Sequence, residues 1–94
     1  MPYYVALLHM LDAEKNQKVL QKHIQYLDEL DKKGKIFARG PFGDNSGGLV
    51  IYQANNFAEA LLMAEEDPHV LEKTRRLELK EWIIYESPYQ GGVG

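Results

Sequence analysis

From Tyr3 to Met10 the chain reads YYVALLHM, apolar throughout except at His9. That length, with its aromatic and β-branched content, predicts a strand buried on both faces. The period then changes. Val19, Leu20, Ile24, Leu27 and Leu30 recur at three- and four-residue steps, and at 100° per residue they gather on one side of a helix running from about Asn16 to Lys33, with Gly34 as its stop. A short strand, Ile36 to Arg39, ends at Gly40-Pro41 and leads into a loop of turn formers, Phe42 to Gly48. Leu49 to Ala54 restores strand character. Asn55-Asn56 offers a cap for a second helix whose apolar face is Phe57, Ala60, Leu61 and Ala64, and Asp67-Pro68 ends it. His69 to Lys73 suits one further turn. A last strand is expected from Leu77 to Glu86, where a change of phase between Leu79 and Trp82 suits a bulge or a strong twist near Lys80-Glu81.

The order βαββαβ predicts an α+β fold of the ferredoxin-like kind, a four-stranded antiparallel sheet with both helices on one face. Residues 1–88 make a single domain in this reading, and 89–94, with three glycines, a flexible tail. The other face of the sheet then needs a cover. Four strands of about seven residues project roughly 440 Å², comparable with the largest apolar patch a monomer exposes, about 300–600 Å². The strands are apolar on both sides: Val5 and Leu7 against Tyr4, Ala6 and Leu8; Leu49 and Ile51 against Val50 and Tyr52; Ile83 against Trp82 and Ile84. Two such faces packed together bury at least about 900 Å², close to what a stable interface needs. The expected partner is a second copy, a homodimer through the sheet faces; whether dimers assemble further is left open.

Composition narrows the function classes. The 94 residues carry 11 basic and 14 acidic side chains, net −3, without a basic stripe, so no nucleic-acid partner is expected. No apolar run approaches the roughly 20 residues that span a bilayer, and no secretory pattern opens the chain, so a cytoplasmic protein without a membrane partner is expected. The absence of Cys removes thiolate catalysis and sulfur-rich zinc sites. The three histidines have no HxH or HxxxH spacing, so no metal is expected. Gly43 to Gly48 lacks GK[ST] and a following helix, and nothing matches a dinucleotide fingerprint or a G-x-S-x-G elbow, so no cofactor is expected either.

His23 is the candidate for chemistry. With Leu20 at 0° it lies at about 300°, between Leu27 near 340° and Leu30 near 280°, inside the sheet-facing stripe. A buried imidazole needs a hydrogen-bond partner. Asp67, at the border of the second helix's apolar face and at its C-terminus, is within reach when both helices share one side of the sheet. A carboxylate accepting from one ring nitrogen fixes the tautomer and leaves the other nitrogen to exchange a proton. Two plainer readings stay open: Asp67 before Pro68 is also a helix cap, and His23 is also readable as a paired core histidine. His69 is expected to be solvated, and His9 to be structural or interfacial.

Taken in order, these segments resemble the YCII-related (YciI-like) family of the dimeric α/β-barrel superfamily. The resemblance rests on His23-Ile24-Gln25-Tyr26-Leu27 in a helix, on GKIFARGP from Gly34 to Pro41, and on the turn before Leu49-Val50-Ile51. It continues in a helix with Glu59-Ala60 and Ala64 ending at Asp67-Pro68, and in a last strand ending W-x-I-Y. The loop between Pro41 and Leu49 is shorter and richer in glycine than is typical. The resemblance implies a dimeric α/β-barrel, a His–Asp pair on His23 and Asp67, and a pocket edge at Gly40-Pro41. Some relatives remove HCl from chlorinated hydroxyquinone compounds. The substrate does not transfer with the resemblance; the reading adopted is a cofactor-independent lyase or isomerase acting on a small, partly aromatic molecule, with His23 and Asp67 catalytic and Gly40, Pro41 and Tyr4 binding the substrate. The alternative is a non-catalytic ligand-binding or accessory dimer in which His23 and Asp67 only join the helices.

Overall fold

The computed structural model describes residues 2–87; the expected tail at 89–94 and the domain limits at 1 and 88 lie outside them. Along these residues run β1 (Tyr3–Met10), α1 (Ala13–Lys32), β2 (Ile36–Pro41), β3 (Gly47–Gln53), α2 (Phe57–Glu65), α3 (Pro68–Leu71) and β4 (Arg75–Trp82). The strands form one sheet in the order β2-β3-β1-β4, each neighbouring pair antiparallel. This is the ferredoxin-like α+β arrangement that the element order implies. Alternation along β1 sets the two faces: Tyr4, Ala6 and Leu8 are buried, whereas Tyr3, Val5 and Leu7 are half-buried. Leu27 of α1 and Ala60 and Ala64 of α2 close over the first set, with Val50 and Tyr52 of β3, to make the core. Among the described residues no helix is long and apolar enough to cross a membrane.

Element ends differ from the expected ones where side-chain chemistry overrides hydrophobic period. α1 begins at Ala13 rather than near Asn16 because Asp12 caps it, its Oδ1 accepting from Lys15 N at 3.0 Å. β3 begins at Gly47 because the glycines pair with β1, Gly47 opposite His9 and Gly48 opposite Leu8. Gly47 has φ +140°, and a Cβ there would overlap the Leu8 carbonyl oxygen, so only glycine fits. β2 keeps Pro41 as its last residue because it is an edge strand, where a missing N–H is tolerated.

The largest correction concerns β4. It runs in unbroken register against β1 from Met10↔Arg75 to Tyr3↔Trp82, without the bulge expected near Lys80-Glu81. Ile83 and Ile84 lie beyond the strand, so the apparent change of phase is the strand's end. A register shift falls in β2 instead, between Ile36 and Ala38, and Phe37 there meets Tyr3 edge-on at 4.8 Å between ring centroids. The uncovered face is therefore apolar over β1, β2 and β3 but charged along β4, where Arg76, Glu78 and Lys80 lie opposite His9, Leu7 and Val5.

Candidate active site

The buried stripe of α1 is Asn16, Val19, His23 and Leu27. His23 Nδ1 lies 2.8 Å from Asp67 Oδ1, and Asp67 is fully buried. Asp67 is also the N-cap of α3, with Pro68 following it, and the same Oδ1 accepts the His69 backbone N–H at 2.9 Å. Capping and pairing, alternatives in the sequence, are both made by one oxygen. α2 ends at Glu65, so Asp67 stands at the start of α3 rather than at the C-terminus of α2. Because a carboxylate only accepts, Nδ1–H of His23 donates to it, which in the uncharged ring puts the lone pair on Nε2.

His69, expected in solvent, is fully buried. Its ring lies against that of His23, with centroids 4.3 Å apart and planes at 39°. The Thr74 hydroxyl donates to the His69 carbonyl at 3.2 Å, so its oxygen accepts His69 Nδ1–H at 2.7 Å. His69 Nε2 and Asp67 Oδ2 are buried without a partner among the described residues, and each such atom costs about 1–3 kcal/mol. Burial pushes the His69 pKa down to about 4, with His23 and Arg75 adding to the shift and Asp67 opposing it. At neutral pH His69 is an uncharged wall behind His23.

His23 lines a cleft of about 370 Å³ between α1 and the β2–β3 side of the sheet, within the roughly 300–1,000 Å³ usual for small-molecule sites. Leu20, Ile24 and Leu27 of α1 and Leu8 and Val50 of the sheet give it an apolar body; Gly40 and Pro41 form part of its wall. Tyr4 is not brought to the cleft. It faces the helices as β1 parity requires, but under α2, where it meets Phe57 at 6.0 Å between ring centroids. Two other tyrosines lie deep as well. Tyr26 donates its hydroxyl to Met63 O at 2.7 Å and burial pushes its pKa up to about 12; burial raises Tyr52 too. Neither gives up a proton near neutrality.

Arg75 escaped the sequence reading. It is 8% exposed, its Nε donates to Asn16 Oδ1 at 2.8 Å, and it lines the cleft beside His23. The signal was present in strand parity, because Arg75 falls in phase with the inward Leu77 and Leu79. Arg39 also borders the cleft, paired with Asp28 and Asp31 at 2.7 and 3.0 Å. His9 is on the opposite, uncovered face, bonded to Glu78 at 2.9 Å. Among the described residues no group of three or more His, Asp or Glu side chains is placed to hold a metal ion.

Comparisons with known proteins agree with this architecture. A solved structure of similar fold is the 5-chloro-2-hydroxyhydroquinone dehydrochlorinase TftG from Burkholderia phenoliruptrix AC1100, in complex with 2,5-dihydroxybenzoquinone. The TM-score is 0.73 and the identity 19%, over 86% of this chain and 93% of that one. The uncharacterised protein YjpA of Bacillus subtilis (strain 168) is 31% identical over 82 residues, spanning 87% of this chain and 96% of its own. Residues 1–83 match the YCII-related domain, and the chain belongs to that family.

Proposed function

We propose that the chain is a cofactor-independent enzyme of lyase or isomerase type acting on a small, partly aromatic molecule, with His23 moving the proton and Asp67 orienting it. The observation that carries this reading is the 2.8 Å His23–Asp67 contact on the wall of an accessible cleft. In the forward step the Nε2 lone pair takes a proton from the substrate, and the electron pair of the broken bond moves into the substrate's conjugated system. It then expels a leaving group as an anion, after which the imidazolium gives its proton to solvent, or it recaptures the proton from the imidazolium at another carbon. Asp67 holds Nδ1–H throughout and stabilises the imidazolium. The Gly40 backbone and Pro41 bound the substrate. A dehydrochlorinase of the same fold, complexed with a dihydroxybenzoquinone, supports a lyase-type reaction on a ring compound.

A homodimer through the uncovered sheet faces belongs to the same reading. Phe37 and Trp82, 53% and 43% exposed, adjoin the apolar stripe of Tyr3, Val5, Leu7 and Leu49, and Arg76, Glu78 and Lys80 give it a charged margin. Equilibrium sedimentation at micromolar protein should find two chains; single folded chains would contradict it.

A second reading has its own observation. Asp67 ties α1 to α3 and caps α3 with one oxygen, which is what a scaffold residue in a ligand-binding dimer would do. Turnover separates the two. Against a panel of small chlorinated hydroxyquinones, enols and lactones, followed by proton and chloride release, wild type should turn over at least one compound. His23→Gln should lose about 10²–10⁴-fold in rate while remaining folded. Unchanged turnover in His23→Gln, or ligand binding with no turnover in wild type, would favour the scaffold.

A further inference from the structure

Two arginines border the cleft, and they are held differently. Arg39 rests its guanidinium on Asp28 and Asp31, so its charge is already matched. Arg75 is more than nine-tenths buried, and its Nε is fixed by Asn16. Among the described residues its two terminal nitrogens have neither a hydrogen-bond nor an ion-pair partner. Neither is sealed from solvent, so the stem is buried while the charged head faces the cleft that Arg75 lines. Burial lowers its pKa below the ordinary arginine value, against the pull of Asp67, yet a guanidinium stays charged at neutral pH. The fold leaves room for this head. Position 48 is glycine, and a Cβ there would stand 3.1 Å from Arg75 Nη1 and 2.9 Å from the Gly40 carbonyl oxygen.

We infer that the Arg75 guanidinium binds a delocalised oxyanion on the ligand of this cleft: a phenolate, enolate or carboxylate oxygen on a small apolar body. The inference deepens the reaction proposed at His23 and rests on that reading for its catalytic sense. Removing a proton from a neutral substrate creates two charges in an apolar cleft. Asp67 matches the imidazolium; Arg75 matches the oxygen on which the electron pair of the broken C–H or O–H bond comes to rest. When the proton returns to the substrate both charges vanish together; when a leaving group departs with the electron pair it carries off the negative charge, and the imidazolium then releases its proton to solvent. A fixed, planar fork of donors suits such an oxygen better than a mobile ammonium would.

The test is a binding experiment independent of turnover, with benzoate and its neutral isostere benzamide titrated into the full chain and followed by NMR. Benzoate should bind at least tenfold more tightly than benzamide. Arg75→Met should remove that preference while leaving benzamide affinity within about twofold, and Arg75→Lys should keep part of it. In His23→Gln the preference should survive, because the anion is held by the guanidinium. 4-Nitrophenol adds a spectroscopic readout: bound to wild type it should show the phenolate band at a lower pH than in free solution, and not when bound to Arg75→Met. Equal binding of benzoate and benzamide by wild type overturns the inference even if Arg75→Met fails to fold. So does a preference that persists in Arg75→Met, or one lost in His23→Gln, which would place the anion on an imidazolium. A charge preference that follows Arg75 without turnover of any compound upholds the anion site and rejects the proton-transfer reading.

Discussion

Among the described residues two histidine–carboxylate contacts differ by 0.1 Å in length: His23–Asp67 at 2.8 Å and His9–Glu78 at 2.9 Å. The first joins side chains 11% and 0% exposed, the second side chains 36% and 37% exposed. On the open face His9 lowers the Glu78 pKa through its hydrogen bond, but water competes for both partners, and exposed pairs contribute little to stability. Under the helices the same chemistry has no solvent to fall back on. Asp67 serves two donors there, and Asp67 Oδ2 and His69 Nε2 go without a partner among the described residues. A histidine–carboxylate pair is thus a surface detail in one place and the organising contact of a cleft in the other. Burial decides which.

That contrast is breakable. Asp67→Ala should have the largest effect, because it leaves His23 Nδ1–H and His69 N–H without an acceptor at about 1–3 kcal/mol each. A loss of about 3–5 kcal/mol in urea unfolding is expected, and one below about 1 kcal/mol would show that the pair is loosely held. Next in size is the pH dependence carried by His69. Folded, this imidazole resists protonation down to about pH 4, whereas unfolded it titrates at its ordinary 6.5. Between those values the unfolded chain binds more protons, so stability falls as pH falls through that window and levels off below it. The full contribution is about 3 kcal/mol. His69→Gln should flatten the slope of the urea midpoint against pH between these limits; an unchanged slope would mean that His69 titrates as if in solvent. The smallest effect belongs to the open face. Glu78→Gln should leave the unfolding midpoint where it was, and a clear drop would show that this pair is sheltered by something the protomer alone does not provide.

Much of this was legible in the sequence. The order βαββαβ and the alternation in β1 give the sheet and its two faces, and the 100° wheel places His23 on the inner stripe. What was missed was missed for identifiable reasons. His69 lies in a helix of four residues, too short for any hydrophobic period to say which way it faces, and its burial depends on Thr74 closing back on it. Arg75 sits at the first position of β4; a strand begun at its apolar residues, Leu77 onward, drops a charged residue that shares their phase. Parity groups Tyr4 with Ala6 and Leu8, but which face they take and which helix lies above them is set by packing in three dimensions. The supposed bulge came from reading Ile83 and Ile84 as strand, when apolar residues just past a strand's end mimic a shift of register.

The most direct test of the site is the state of the His23 ring itself, read from the two imidazole nitrogens by long-range ¹⁵N–¹H correlation in the full chain. At neutral pH Nδ1 should carry the hydrogen and Nε2 the lone pair, and addition of a ligand that fills the cleft should move the Nε2 resonance while Nδ1 stays fixed on Asp67. A ring protonated on Nε2 instead, or an Nε2 signal indifferent to every ligand that binds the cleft, would contradict the assignment of His23 as the group that moves the proton.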